Sequence, residues 1–178
     1  MAHSIELLLD PDSDAMVRRM WAALLADDLP SQGAHRSNSN RPHITLIAAA
    51  RVDTGVDAEV RGLEDRFPLS VDVGATVVFR GRRSTVARLV VASRELLALH
   101  RDLHDLAAPF VDGGVVDHCT PDHWTPHLTV ARRVPDDQLG RCIAVADDAG
   151  QGAAVTATVT GLRRWDGDAR EDVVLIGV

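Results

Sequence analysis

One short pattern occurs twice in this chain, and it narrows what the chain can fold into more than any other feature. Arg41-Pro42-His43-Ile44-Thr45-Leu46 returns in the second half as Thr125-Pro126-His127-Leu128-Thr129-Val130. Each copy runs Pro-His-apolar-Thr-apolar, and small residues and an arginine follow each. In a strand, successive side chains alternate between faces. His43 and Thr45 then share one face while Ile44 and Leu46 turn into a core. His127 and Thr129 repeat this against Leu128 and Val130. A lone His-x-Thr arises by chance, but two in matching contexts predict two strands carrying the same polar pair.

The flanking sequence repeats in outline. Ser4 to Leu9 has the length and apolar character of a strand, and Asp10-Pro11-Asp12 supplies the cap and first turn of a helix. Met16, Val17, Met20, Trp21, Leu24 and Leu25 recur at helical spacing over residues 12–26. Ser31 to Asn40 is polar and aperiodic, either a surface connector or a substrate loop. The first motif strand is expected to reach about Ala48, and Val56, Val60, Leu63 and Phe67 then mark a second amphipathic helix. Leu69–Arg80 and Thr85–Ala92 form a hairpin through Gly81-Arg82-Arg83-Ser84, with Gly74 a bulge or break.

Ser93 caps the next helix, whose Leu96, Leu99, Leu103 and Leu106 form a buried stripe. Pro109 to Thr125 is expected to be irregular. The second motif strand spans about His127 to Arg132, and Pro135-Asp136-Asp137 starts another helix. Strands Ala154–Arg164 and Asp172–Val178 close the chain around Asp166-Gly167-Asp168. Both halves thus run strand, helix, loop, motif strand, helix, strand. That shared order predicts a single α+β domain over 1–178 with two similar lobes, roughly 1–84 and 85–178, which can exchange strands and which face a common cleft.

Composition removes several function classes. With 46% apolar and 25% charged residues the chain has the make-up of a soluble protein, and no run is apolar enough to cross a bilayer. The start, Met-Ala-His-Ser-Ile-Glu-Leu, lacks the basic and apolar blocks of a signal peptide. Cys119 and Cys142 are too few for a disulfide framework, so a reduced, cytoplasmic protein is expected, monomeric by default. A net charge of −7 argues against a protein that coats nucleic acid. It leaves room for one nucleotide or one RNA end in a pocket lined locally by arginine.

The doubled motif suits phosphodiester chemistry. Imidazole takes or gives a proton near neutral pH. Cleavage of a phosphodiester needs both services, from opposite sides of the phosphorus. Histidines on two facing strands meet that geometry. A threonine hydroxyl two residues along lies on the same face and can donate to a non-bridging oxygen, and an arginine can steady the growing charge. No metal or cofactor is required.

These residues resemble the two-histidine phosphoesterases, and among them the bacterial RNA 2′,3′-cyclic phosphodiesterases, often called 2′-5′ RNA ligases. The family signature, a pair of His-x-Thr-apolar motifs, is matched by His43-Ile44-Thr45-Leu46 and His127-Leu128-Thr129-Val130. The second motif continues to Ala131-Arg132 and resembles the family's extended form, in which the arginine contacts substrate phosphate. Ala48 stands at the equivalent place in the first. On a regular strand Arg132 points away from His127 and Thr129, so reaching the same substrate calls for the strand end or a bulge. The resemblance implies a bilobal α+β fold with antiparallel sheets lining a central cleft and helices outside. It also implies opening of a ribonucleoside 2′,3′-cyclic phosphate, free or on an RNA end, to a 2′-phosphate, with 2′-5′ ligation as a reverse-type activity. By analogy His43 is the acid on the leaving 3′-oxygen and His127 the base on water, with the reverse assignment open.

Other readings stand beside this one. The cleft can belong to a nucleotide- or RNA-end-binding module without turnover. His118, Cys119, His123 and His127 form a group that a metal-dependent hydrolase could use. His100 and His104 sit one helical turn apart, a spacing some zinc sites share, although exposed or half-buried positions beside the leucine stripe are expected. Trp124 either stacks on a substrate base or covers a core edge.

Overall fold

Alternation and capping build the first half of the chain directly from the sequence. In the computed structural model, which describes residues 2–150 and 154–177, β1 (His3–Leu9) sends Ile5, Leu7 and Leu9 into the hydrophobic core. The Asp10 carboxylate accepts a hydrogen bond from the Ser13 backbone N–H, and Pro11 occupies the first turn of α1 (Pro11–Ala26). Met16, Val17, Met20, Trp21 and Leu24 are the buried apolar residues of that helix. The first motif lies on β2 (His43–Val52), followed by α2 (Val56–Val60) and β3 (Leu69–Phe79).

The second half of the chain starts with β4 (Ser84–Val90) and α3 (Arg94–Ala107), which the Ser93 hydroxyl caps by accepting from the Leu96 N–H. Next come β5 (Val111–Val115), the second motif strand β6 (His127–Val134), α4 (Leu139–Ala149), β7 (Val155–Asp166) and β8 (Glu171–Ile176). Val178, the last residue of the expected final strand, lies outside the described residues.

The strands order β5-β2-β1-β7-β3-β4-β6, with β8 on β7 and every pairing antiparallel. Exchanging β2 with β6, β1 with β4 and β7 with β3 returns the stretch from β2 to β6 unchanged. The helices obey the same exchange, since α1 packs against α4 and α2 against α3. The two expected sheets are joined into one hydrogen-bonded ladder because β7 serves both: residues 159–165 pair with β1 and residues 155–159 with β3. Each half therefore lends its last long strand to the other.

Three local expectations needed correction. The second amphipathic helix breaks after α2 into a 3-10 segment, Arg61–Arg66, because Gly62 weakens a helix interior and Pro68 disfavours helical geometry at Phe67. Pro109–Thr125 is not wholly irregular: Val111–Val115 pairs with β2 as an edge strand, its short apolar ends hidden from periodicity by Gly113 and Gly114. The last helix begins at Leu139, after a 3-10 turn over Asp136–Gln138. The expected irregularity at Gly74 is present, since the β3–β4 register shifts between Val73 and Thr76. The Gly74 carbonyl, released from the ladder, accepts two N–H bonds from the buried Arg88 at 2.8 and 2.6 Å.

Candidate active site

The dipeptide before each motif sets the tautomer of its histidine. His43 Nδ1 lies 2.7 Å from the carbonyl oxygen of Arg41, and His127 Nδ1 lies 2.7 Å from that of Thr125. A carbonyl only accepts, so each Nδ1 carries the hydrogen and donates it back two residues across the intervening proline. Each Nε2 faces away from that carbonyl and can exchange a proton. Both rings border one cavity of about 350 Å³, between strands from opposite ends of the ladder.

Immediately after each threonine the motif strand bulges. Glu6 pairs with Thr45 and Ile5 with Ile47, skipping Leu46. Ala87 pairs with Thr129 and Val86 with Ala131, skipping Val130. The extra residue reverses the alternation, so Leu46 and Ile47 are both buried, as are Val130 and Ala131. Ala48 and Arg132 consequently turn back to the side of the histidines, where both line the cavity. The bulge is what lets Arg132 share a face with His127.

A bulge leaves a carbonyl without its ladder partner, and tryptophan supplies the missing donor twice. Trp124 Nε1–H donates to the Thr45 carbonyl at 2.9 Å, and Trp21 Nε1–H donates to the Thr129 carbonyl at 3.0 Å. Trp124 is in turn stacked on His100, with ring centroids 4.0 Å apart and planes 10° from parallel. His100 Nε2–H lies between the carbonyls of Leu46, at 3.1 Å, and Cys119, at 3.0 Å. His100 is therefore buried, not a surface or half-buried histidine as its place beside the leucine stripe had suggested. Burial, opposed by its two carbonyl partners, holds its imidazole below the ordinary value.

The two histidines differ in their charged surroundings. His43 Nε2 is 3.6 Å from Glu6 Oε1, and Arg163 reaches to 3.5 Å from His43 Nδ1. Arg163 gives two N–H groups to Glu6 Oε2 at 2.7 Å, and a third to the Ser39 carbonyl at 2.7 Å and Asp172 at 3.1 Å. Ser4 donates to Glu6 Oε1 at 2.6 Å. Burial by itself raises the Glu6 carboxyl, but His43, Arg163 and Ser4 together bring it below the ordinary glutamate value. His127 packs instead against Phe79, with ring centroids 4.6 Å apart. Its imidazole is lowered first by burial and further by the charges of His43, Arg132 and His118, against the Thr125 carbonyl.

Of the residues expected from the motifs, His43, Thr45, His127, Arg132 and Trp124 border the cavity, whereas Thr129 lies on the same strand face but not on the lining. Trp124 has one face on His100 and also packs against the core. Among the described residues, the His118–Cys119–His123–His127 group does not bring three ligand atoms within 4.8 Å of one another. His123 faces Asp117, and the Cys119 thiol is buried. His3, Asp166 and Asp168 do converge, but the Asp166 carboxylate accepts from the Asp168 and Ala169 N–H groups and so closes the β7–β8 turn. Glu6 and Arg163 were missed from sequence. For Glu6 the signal was a carboxylate amid the apolar run Ile5–Leu9, the informative kind of exception; Arg163, beside Arg164 in a strand rich in threonine, carried none.

A model of the 2′-5′ RNA ligase superfamily matches residues 10–171. Usb1 of Kluyveromyces marxianus with uridine monophosphate matches with a TM-score of 0.53 and 12% identity, covering 98% of this chain and 97% of that one. E. coli LigT in apo form gives 0.53 and 15% over 97% and 93% of the two chains. E. coli LigT complexed with 3′-AMP gives 0.52 and 12% over 97% and 91%. At these identities the likeness is one of fold. No curated protein matches the sequence.

Proposed function

Since the chain belongs to the 2′-5′ RNA ligase superfamily, the two-histidine phosphoesterases, we propose that it opens 2′,3′-cyclic phosphates of nucleotides or RNA ends to 2′-phosphates. The observation that carries this reading is the pair of imidazoles bordering one cavity, each fixed by an Nδ1–H bond to the carbonyl two residues earlier so that Nε2 can exchange the proton. Water attacks phosphorus and gives a proton to one imidazole. The bond from phosphorus to the 3′-oxygen breaks, and that oxygen takes a proton from the other. The two rings exchange protonation states and reset through solvent. Thr45 and Thr129 donate hydroxyls to the non-bridging oxygens, and Arg132 meets their charge. Trp124 offers the base an edge of its indole. With the 5′-hydroxyl of a second RNA end attacking phosphorus in place of water, the bond to the 3′-oxygen again breaks, that oxygen takes the proton, and the same pair would serve 2′-5′ ligation.

A cavity of about 350 Å³ suits a nucleotide-sized group, and the nucleotides in the Usb1 and LigT structures are of that class. No described helix is long and apolar enough to cross a membrane. The test is a panel of 2′,3′-cyclic mononucleotides and RNA 2′,3′-cyclic ends assayed in EDTA, with the phosphate position of each product determined by NMR. Turnover to a 2′-phosphate is expected. Binding of the 2′-phosphate with no turnover above the double histidine variant would make the protein a binding module instead.

A further inference from the structure

We propose that Glu6 decides which of the two imidazoles carries the shared proton, holding it on His43 so that His43 is the acid and His127 the base. This rests on the proposed reading that both histidines act on one phosphate. Two imidazoles facing the same phosphorus repel when both are charged and cannot start the reaction when both are neutral, so the working enzyme holds one proton between them. Nothing in the motifs themselves breaks the tie, because the two copies and their carbonyl partners are alike.

The neighbouring strands break it. Glu6 on β1 stands opposite Thr45, and the residue in the matching register on β4, opposite Thr129, is Ala87. His43 is faced by Glu6 from β1, by Arg163 from β7 and across the cavity by His127 from β6. Arg163 is a cation, but its guanidinium is bound by both Glu6 and Asp172. Two carboxylates against one guanidinium leave this cluster a positive charge short, and an imidazolium at position 43 completes it. Around His127 the charged groups are His43, Arg132 and His118, with Phe79 on the ring face. Among the described residues no carboxylate forms an ion pair with His127, and that site favours the neutral ring. Glu6 touches neither water nor phosphate in this scheme and is a positioning residue.

Two measurements test this. In wild-type protein with labelled histidine, an NMR titration is expected to show His127 losing its proton at lower pH than His43; the reverse order overturns the proposal. In the pH profile of kcat/KM, the alkaline limb reports the acid. Glu6→Gln is expected to move that limb about one pH unit toward lower pH, while Glu6→Asp, which keeps the charge, restores most of the shift. A uniform loss at all pH values with both limbs in place would mean that Glu6 is only structural. His43→Ala and His127→Ala separate the two layers. If either retains near-wild-type turnover, the paired-histidine reading itself fails. If both lose turnover by about a hundredfold or more and the limb stays put in Glu6→Gln, only the role of Glu6 is refuted.

Discussion

The indole N–H of Trp124 donates to the backbone carbonyl of Thr45 at 2.9 Å, tying the residue just ahead of the second motif to the centre of the first. Trp21 does the same for Thr129 from α1. Both carbonyls lie where a bulge has opened the ladder. A buried polar group left without a partner costs about 1–3 kcal/mol. Trp124→Phe keeps an aromatic face for His100 but removes the donor. Denaturant unfolding is expected to show a loss of about 1–3 kcal/mol, with kcat reduced as the Thr45 strand loosens; an unchanged midpoint would mean the bond carries no weight.

Removing either imidazole removes one proton transfer. His43→Ala and His127→Ala should each lower kcat by roughly 10²–10⁴-fold, and the double variant should be little worse than either single one, because the two act as a unit. Steady-state kinetics on a cyclic mononucleotide gives the answer, with circular dichroism to confirm that the fold persists.

The hydroxyls at Thr45 and Thr129 are cast as donors to charge that grows in the transition state. Thr45→Val preserves shape and is expected to lower kcat by about 10²-fold with KM little altered. Thr129→Val is the more demanding case, since Thr129 is off the cavity lining. An equal loss there would mean that substrate draws the strand inward.

Arg132 reaches the cavity only because of the bulge at Val130. Arg132→Ala should cost about tenfold to a hundredfold in kcat/KM, the worth of a charge-assisted hydrogen bond. Arg132→Lys should recover part of that through charge without the fork geometry. Equal kcat/KM for all three proteins would remove Arg132 from the substrate.

His100 makes stability depend on pH with a definite sign. Burial lowers its value in the folded state, so between that value and the ordinary 6.5 the unfolded chain holds more protons. Stability then rises with pH across this window; it is fully present above 6.5 and is lost as pH falls. Glu6, lowered from 4.5, adds a loss of the same sign in a more acidic window. Unfolding free energies measured from pH 7.5 down to 5 should decline, and His100→Phe should flatten the decline. His127, also lowered by burial, keeps part of the decline in His100→Phe; an undiminished decline there would assign it elsewhere.

Much of this site was legible before any coordinates. The period of two along His43-Ile44-Thr45-Leu46 and His127-Leu128-Thr129-Val130 put the polar pairs on one face, because the pleat allows no other arrangement. Asp10, Ser93 and Gly74 announced a cap, a cap and a bulge through local chemistry alone. His100 was misplaced because burial depends on what lies across from a helix face. Trp124 and the carbonyls of Leu46 and Cys119 come to it from distant stretches of chain.

The sequence by itself determined two histidine-bearing strands, their helical partners and the near repetition of one half by the other, since each follows from contacts within a few residues. Only the tertiary structure decided the rest. The bulges that turn Arg132 inward are register events between strands, and the indole donors answer gaps those bulges create. Glu6 beside His43, with Ala87 in the matching place, arises from pairing across the ladder. A strand carries its own periodicity, but which residue stands opposite is written in another part of the chain, and that neighbour sets the charge each imidazole feels.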